Sequence, residues 1–412
     1  MISLGSERNR SEFVSSNATD NVTETCLSGR NMKTSNNSAR PVTLCSCFLA
    51  VSFALFLTVF PLAAANPTDY QQKLPAIRKL ITETMAKDKL QAVLLGVSVE
   101  GKELLILAEG ETMTGVPATA DMHFRNGNVA VAYMGNLFYQ LVDDGIVKAD
   151  DPVGKWLPDL PESQTVTLEM LINGTAGYPD FMPMDLFQKK LYANPFHQWT
   201  PQELIKLAFT EKPKFKPGSD WNYAHTNFVI LGLALEKAAV KPFGELMQER
   251  VLTPFGMQET AAPGTPYIPE PVLHSYTDER GYYEDATFWN PSWSLARGAV
   301  QYTTIGDTLA GFRAVGQGQR LKPATFQAML APQTPGMKFW TKDMYYAQGI
   351  VVNKGWLTQA PSFAGLFGTA GYHPAKDITI ALWCTRSIDA SSEGNPISGL
   401  YQRLTKILTS EN

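Results

Sequence analysis

The chain has 412 residues, 44% of them hydrophobic, enough to bury one large core or two smaller ones. Charged residues make up 18% and are well mixed, with a formal net charge of −4. No basic stripe or Lys/Arg run occurs, which argues against nucleic acid as a partner.

The first expected element is an export signal. Residues 41–65, PVTLCSCFLAVSFALFLTVFPLAAA, carry no charge and follow Lys33 and Arg40. The run ends in Ala63, Ala64 and Ala65, the small-residue pattern of a cleavage site. Residues 1–65 therefore read as leader and signal peptide, and Met32 would make a conventional start. The alternative is an uncleaved N-terminal membrane anchor, since the run is long enough to span. Three of the four cysteines, Cys26, Cys45 and Cys47, fall in this segment. Cys384 sits in an apolar strand pattern and reads as a buried, inert thiol.

Residues 69–88 have helical spacing of apolar positions. Residues 92–110 read as two strands joined by a hairpin turn at Glu100-Gly101. Val129 opens an apolar stretch that reads as an amphipathic helix, with Asn128 where a side-chain cap would stand. The middle of the chain is helix-rich, as in TPQELIKLAFT (200–210) and NFVILGLALEKAAV (227–240). Strands return at YAQGIVVN (346–353) and DITIALWCT (377–385), and a helix closes the chain at 397–408. This order predicts an α/β unit built from both ends, approximately 66–115 and 300–412. A helical lobe of approximately 116–299 is inserted between them, all within one domain of 66–412.

Five stretches in order carry a resemblance: FRNGNVAVAYMGNLFYQLVDDGIVKADDPVGKWLPDLP (124–161), VTLEMLINGTAGYPDF (166–181), FKPGSDWNYAHTNFVILGLALEK (215–237), FWNPSWSLARGAVQYTTIGDTLAGF (288–312) and SFAGLFGTAGYHPAKDITIALW (362–383). Together they resemble the serine β-lactamase-related family, which includes class C β-lactamases, DD-peptidases and esterases. The resemblance implies an α/β (α+β) fold of the penicillin-binding-protein type. In it an antiparallel sheet is flanked by terminal helices and carries an inserted helical lobe.

The family's chemistry is acyl transfer. A Ser-x-x-Lys motif sets a serine at a helix start with a lysine one turn on, where the lysine helps remove the serine proton. Laid on that pattern, the serine position is Asn128 and the lysine position is Val131. Asn has no basic amide nitrogen with which to accept an acyl group, and Val131 offers no proton acceptor. Tyr223 matches the tyrosine of the second motif, and His225 stands two residues on, where the family often has Asn. On an extended segment the two would point the same way. Counting back from GTAGY (368–372) puts Gly365-Leu366-Phe367 at the third motif, where Phe367 would crowd the substrate edge. His225, Gly365 and Trp221 are the expected ligand-binding residues.

Ser292, Ser294 and Thr175 have no Lys or His at catalytic spacing and read as turn or cap hydroxyls. The remaining histidines, His123, His197, His274 and His373, are scattered, so no metal site is expected, and nothing calls for a cofactor. The signal at residues 41–65 makes an exported, periplasmic or secreted protein the expectation, with N-terminal membrane anchoring as the alternative. The expected function is that of a non-acylating pseudoenzyme binding an envelope, peptide-like or ester ligand, or a protein partner. The alternative is an active hydrolase with non-standard residues, for example a water activated by Tyr223 and His225.

Overall fold

The structure, a computed structural model, describes residues 67–390 and 395–410. The expected leader and signal peptide, residues 1–65, lies outside the described residues.

The helix Leu74–Asp88 buries Ile77, Leu80, Ile81 and Thr84, one stripe at three- and four-residue spacing. It leads into the hairpin Leu90–Val99 and Lys102–Met113. The two turn residues, Glu100 (φ 53°) and Gly101 (φ 73°), are both left-handed, the geometry that matches the twist of paired strands. The strand Leu90–Val99 then pairs antiparallel with Ile378–Arg386, near the other end of the chain. In space the main sheet runs Val116–Pro117, Lys102–Met113, Leu90–Val99, Ile378–Arg386, Leu366–His373, Trp356–Gln359, Val351–Asn353, Met344–Tyr346. The short strand Ser362–Phe363 pairs beside Leu366–His373.

The stretch 346–353 is not one strand. It breaks into Met344–Tyr346 and Val351–Asn353 around a tight turn, where the Ala347 N–H donates to the Ile350 carbonyl at 2.8 Å. Gly349, at φ 80°, makes that turn possible.

Alternation along the strands separates two cores. Ile378, Ile380, Leu382 and Cys384 face the helices Leu74–Asp88 and Pro396–Thr409, which bring Ile397, Leu400, Leu404 and Leu408. Ala381 and Trp383 face the other way, toward the helical side. There the helix Ile305–Gly316 lies directly on the sheet: a Cβ on Gly96 would come within 2.4 Å of Ile305. Behind it runs Val129–Asp143, buried from Val129 through Leu141. This central helix is not amphipathic. Partners cover it on every side, as its almost unbroken apolar sequence requires.

A forked ion pair locks the helix Ile305–Gly316 to the turn before the last strand. Arg313 donates to Asp377 through Nε at 2.8 Å and Nη2 at 2.5 Å. The Arg313 hydrogen bonds hold the Asp377 carboxyl below its ordinary value. A depressed folded-state pKa stabilises the protein above the unfolded value, near 4, and that gain disappears as pH falls through the lower folded value. Asn tolerates the left-handed backbone at position 377 (φ 44°), so Asp377→Asn isolates the charge. The pair is about a quarter exposed, so we expect a loss of only about 1 kcal/mol at pH 7. In denaturant titrations the two proteins should converge below about pH 3.

Candidate functional site

The approach to the central helix is anchored from three sides. Phe124–Arg125 pairs with Tyr302–Thr303. The Phe124 ring packs on Trp383 at 4.6 Å, and the Trp383 indole N–H donates to the Arg125 carbonyl at 3.3 Å. Asn126 and Gln301 bond to each other through both backbone and side chains. Arg125 is buried, and burial lowers its guanidinium to about 10.

Asn128 does not cap the helix. Its backbone is already helical (φ −66°, ψ −9°), and its side chain accepts no capping hydrogen bond. The reason lies one turn earlier. The N–H groups of Val129, Ala130 and Val131 donate to the carbonyls of Asn126, Gly127 and Asn128 at 3.0–3.1 Å. A tight turn has filled the donors that a cap would serve. We therefore expect Asn128→Ala to change stability by less than about 0.5 kcal/mol. A loss nearer 1 kcal/mol in chemical denaturation would mean that a capping bond forms in solution.

Val131 is fully buried in the core around the central helix. A Cβ on Gly349 would come within 2.6 Å of the Val131 carbonyl and 3.2 Å of its methyl and of Ile172. The Gly349 carbonyl accepts from Gln359 at 2.6 Å, and the same amide reaches the Tyr346 hydroxyl at 3.5 Å. Tyr346 in turn lies 5.6 Å from the Trp221 ring and 6.4 Å from Tyr223. So Val131, Trp221 and Tyr223 belong to one contiguous buried region. Trp221 itself is packed between Trp340, Phe339 and Tyr346.

Tyr223 and His225 are neighbours, with rings 5.2 Å apart and nearly perpendicular. They do not share an extended segment, however: His225 is the first residue of the helix His225–Ala239. The Tyr223 ring is half-buried, but its hydroxyl is sealed and without a hydrogen-bond partner. Burial first, then the proximity of Tyr346 and Asp180, raises the Tyr223 pKa well above its ordinary value. The group stays a neutral phenol, a donor rather than a base. His225 Nδ1 meets Asp180 at 3.2 Å, and the Asp180 carboxylate also accepts the His225 backbone N–H at 3.1 Å. Asp180 was not singled out from the sequence, though it is the lone carboxylate in the quoted block 166–181 apart from Glu169.

The third-motif region corrects the sequence reading. Along Leu366–His373, Leu366, Ala370 and Tyr372 face the helical side, whereas Phe367 faces the terminal helices. Phe367 therefore does not crowd the cleft. It packs under the Arg386 guanidinium at 4.4 Å, on the opposite face of the sheet. The bare glycine on the cleft face is Gly368, where a Cβ would come within 2.5 Å of Trp383 and 3.0 Å of Pro361. Gly365 lies in the turn before the strand, at φ 80°. A Cβ there would lie 1.8 Å from the Tyr276 carbonyl, because the hairpin of Tyr276–Thr277 and Glu284–Asp285 rests on this turn. Its glycine is required by that backbone contact. Gly365 borders an outer depression of about 340 Å³ with Tyr283 and Ile388, separate from the helix start.

Between the helix start and the strand Leu366–His373, the cavity lined by Gly127, Trp293, Pro361, Phe363 and Leu366 measures about 20 Å³. That is room for about one water and far below the roughly 300 Å³ of a small-ligand site. Pro361 lies over Gly127, within 2.5 Å of where a Cβ would be. Phe363 packs on Trp293 at 5.5 Å, and Trp293 on His225 at 5.9 Å. These rings join the second-motif residues to the third-motif hairpin. Pro361 and Phe363 were not predicted; a proline just before a two-residue strand was their only sequence signal. The weighed hydroxyls are structural where the hydrogen bonds define them. Ser292 Oγ accepts the Trp199 N–H at 2.8 Å, and Thr175 Oγ1 donates to Asn173 at 2.7 Å.

Comparison with known proteins matches this fold. The family model described as Beta-lactamase matches residues 77–397. The chain is 28% identical over 182 residues to the D-alanyl-D-alanine-carboxypeptidase/endopeptidase AmpH of Escherichia coli, covering 42% of this chain and 45% of that protein. The chain thus spans less than half the length of that relative. Among solved structures, the D-amino acid amidase of Ochrobactrum anthropi SV3 superposes with a TM-score of 0.70 at 20% identity, covering 82% of this chain and 97% of the other. A D-stereospecific amidohydrolase from Streptomyces superposes at 0.68 and 23% identity, covering 79% and 96%.

Proposed function

Because the chain belongs to the beta-lactamase family, we propose that it is a non-acylating member, which binds an envelope, peptide-like or ester ligand, or a protein partner, without forming an acyl-enzyme. The observation that carries this reading is the pair of residues at the first-motif positions. Asn128 brings no hydroxyl, and Val131 is fully buried among apolar groups with no proton acceptor. The narrow space under Pro361 and Phe363 supports it further, since it leaves no room for an acyl donor beside Gly127. The register supports moving the third-motif frame to Leu366-Phe367-Gly368, which leaves Leu366 where the family carries Lys or His. The names of the relatives, a D-alanyl-D-alanine peptidase and a D-amino acid amidase, make a peptide-like ligand the first class to try.

The test is covalent labelling of the exported form with a fluorescent penicillin and, separately, a fluorophosphonate. We expect no labelled band with either. An adduct on any serine overturns the reading.

One observation favours the alternative hydrolase: the buried His225–Asp180 pair beside Tyr223. In that reading His225 takes a proton from water and Tyr223 can only donate, since burial keeps it protonated. Hydrolysis of an activated ester that is lost in His225→Gln, without any covalent adduct, would establish it.

Export rests on residues 41–65. Protein recovered from the cell envelope should begin at or near Asn66. Recovery of a membrane-bound form that keeps Pro41–Ala65 would favour an anchor instead.

A further inference from the structure

A second concavity lies away from the narrow cleft. The helices Asp185–Ala193 and Pro201–Ala208, with the loop between them, enclose a groove of about 530 Å³. That volume falls in the range of small-molecule sites. Its walls are mainly apolar, with Leu186, Ala193 and Leu207 from the two helices and Trp199 from the loop. Leu186 is half exposed, at 49%, and supplies accessible apolar surface to the groove.

The charges around this groove are unequal. Glu203 accepts from the Thr200 backbone N–H and hydroxyl at 2.8 Å and lies 3.4 Å from His197. Those Thr200 hydrogen bonds, then His197, hold its carboxyl below the ordinary value. Lys190 and Lys206, one from each helix, also line the groove. Neither makes an ion pair or side-chain hydrogen bond among the described residues. The groove thus presents two unpaired ammonium groups above an apolar floor, on a chain whose net charge is negative.

We propose that this groove binds a single-chain amphiphilic carboxylate, with its alkyl or aryl body on Leu186 and Ala193 and its carboxylate between Lys190 and Lys206. The charge pattern selects an anion over a cation or a neutral alcohol. The volume suits one medium-length chain rather than a two-chain lipid. Two ammonium groups against the one carboxylate of Glu203 leave the charged lining net positive.

The probe is dodecanoate, titrated calorimetrically below its critical micelle concentration, with dodecanol and dodecyltrimethylammonium in parallel. We expect saturable 1:1 binding of dodecanoate and weaker binding of the other two. Lys190→Gln with Lys206→Gln should weaken dodecanoate by about tenfold or more at low salt and leave dodecanol unchanged. Both lysines are exposed, so the variant should melt as the parent does, and melting is measured to check that. Leu186→Ser, at an exposed position, should weaken dodecanoate and dodecanol together. Non-saturable uptake, equal binding of the cationic surfactant, or a double variant that binds dodecanoate like the parent would each overturn the proposal.

Discussion

Val131→Lys should destabilise the protein by about 3–5 kcal/mol, the usual result of leaving an unpaired charge in a core. Position 131 has no exposed surface, and a Cβ on Gly349 would come within 3.2 Å of its methyl. A lysine there needs both space and a partner. The space is absent, because Gly349 already approaches the Val131 carbonyl too closely to carry a Cβ. Any lysine that did fit would be desolvated and its pKa lowered, which is what a general base requires. The same variant therefore tests chemistry and stability together. Adding Asn128→Ser supplies a nucleophile at the helix start, but Pro361 still covers Gly127. We expect the folded fraction of Asn128→Ser/Val131→Lys to show no mass gain after incubation with penicillin. A covalent adduct on the introduced serine would show that the hairpin opens readily. A melting temperature for Val131→Lys equal to the parent's would show that the core near Gly349 yields more than its packing implies.

Gly365→Ala should cost about 2–3 kcal/mol, from overpacking and a left-handed backbone combined. The opposing atom is a backbone carbonyl, Tyr276 O, 1.8 Å from the added Cβ, and it cannot swing aside as a side chain could. Relief requires lifting the hairpin that carries the stacked Tyr276 and Tyr283 rings, 5.3 Å apart. Loss of stability with exposure of that hairpin to proteolysis is the expected pair of results. If Gly365 instead serves ligand approach, stability should hold and only binding should fall.

The fold was legible in large part. Five motif blocks in order identified the scaffold, and the matching family and superposed structures bear that out. Glu100-Gly101 announced the first hairpin because a two-residue turn with left-handed φ depends on the local chain alone. Thr200 and Glu203 form the capping box of Pro201–Ala208 for the same reason: its partners lie three residues apart. The site was less legible. Asn128 looked like a cap, but whether a helix needs one depends on the preceding turn, which Gly127 closes at φ 48°.

The sequence by itself determined the family and the order of elements. Composition, periodicity and spacing are properties of neighbours along the chain, and those features depend on little else. Only the tertiary structure decided which face of Leu366–His373 meets the cleft. Alternation is ambiguous by one residue until Trp383 and the terminal helices claim opposite sides, which puts Phe367 on the terminal-helix side and Gly368 on the helical side. Tertiary structure likewise decided that little space remains between Gly127 and Pro361. Pro361 and Gly127 are remote in sequence, and their contact exists only because the sheet carries the hairpin onto the start of the central helix.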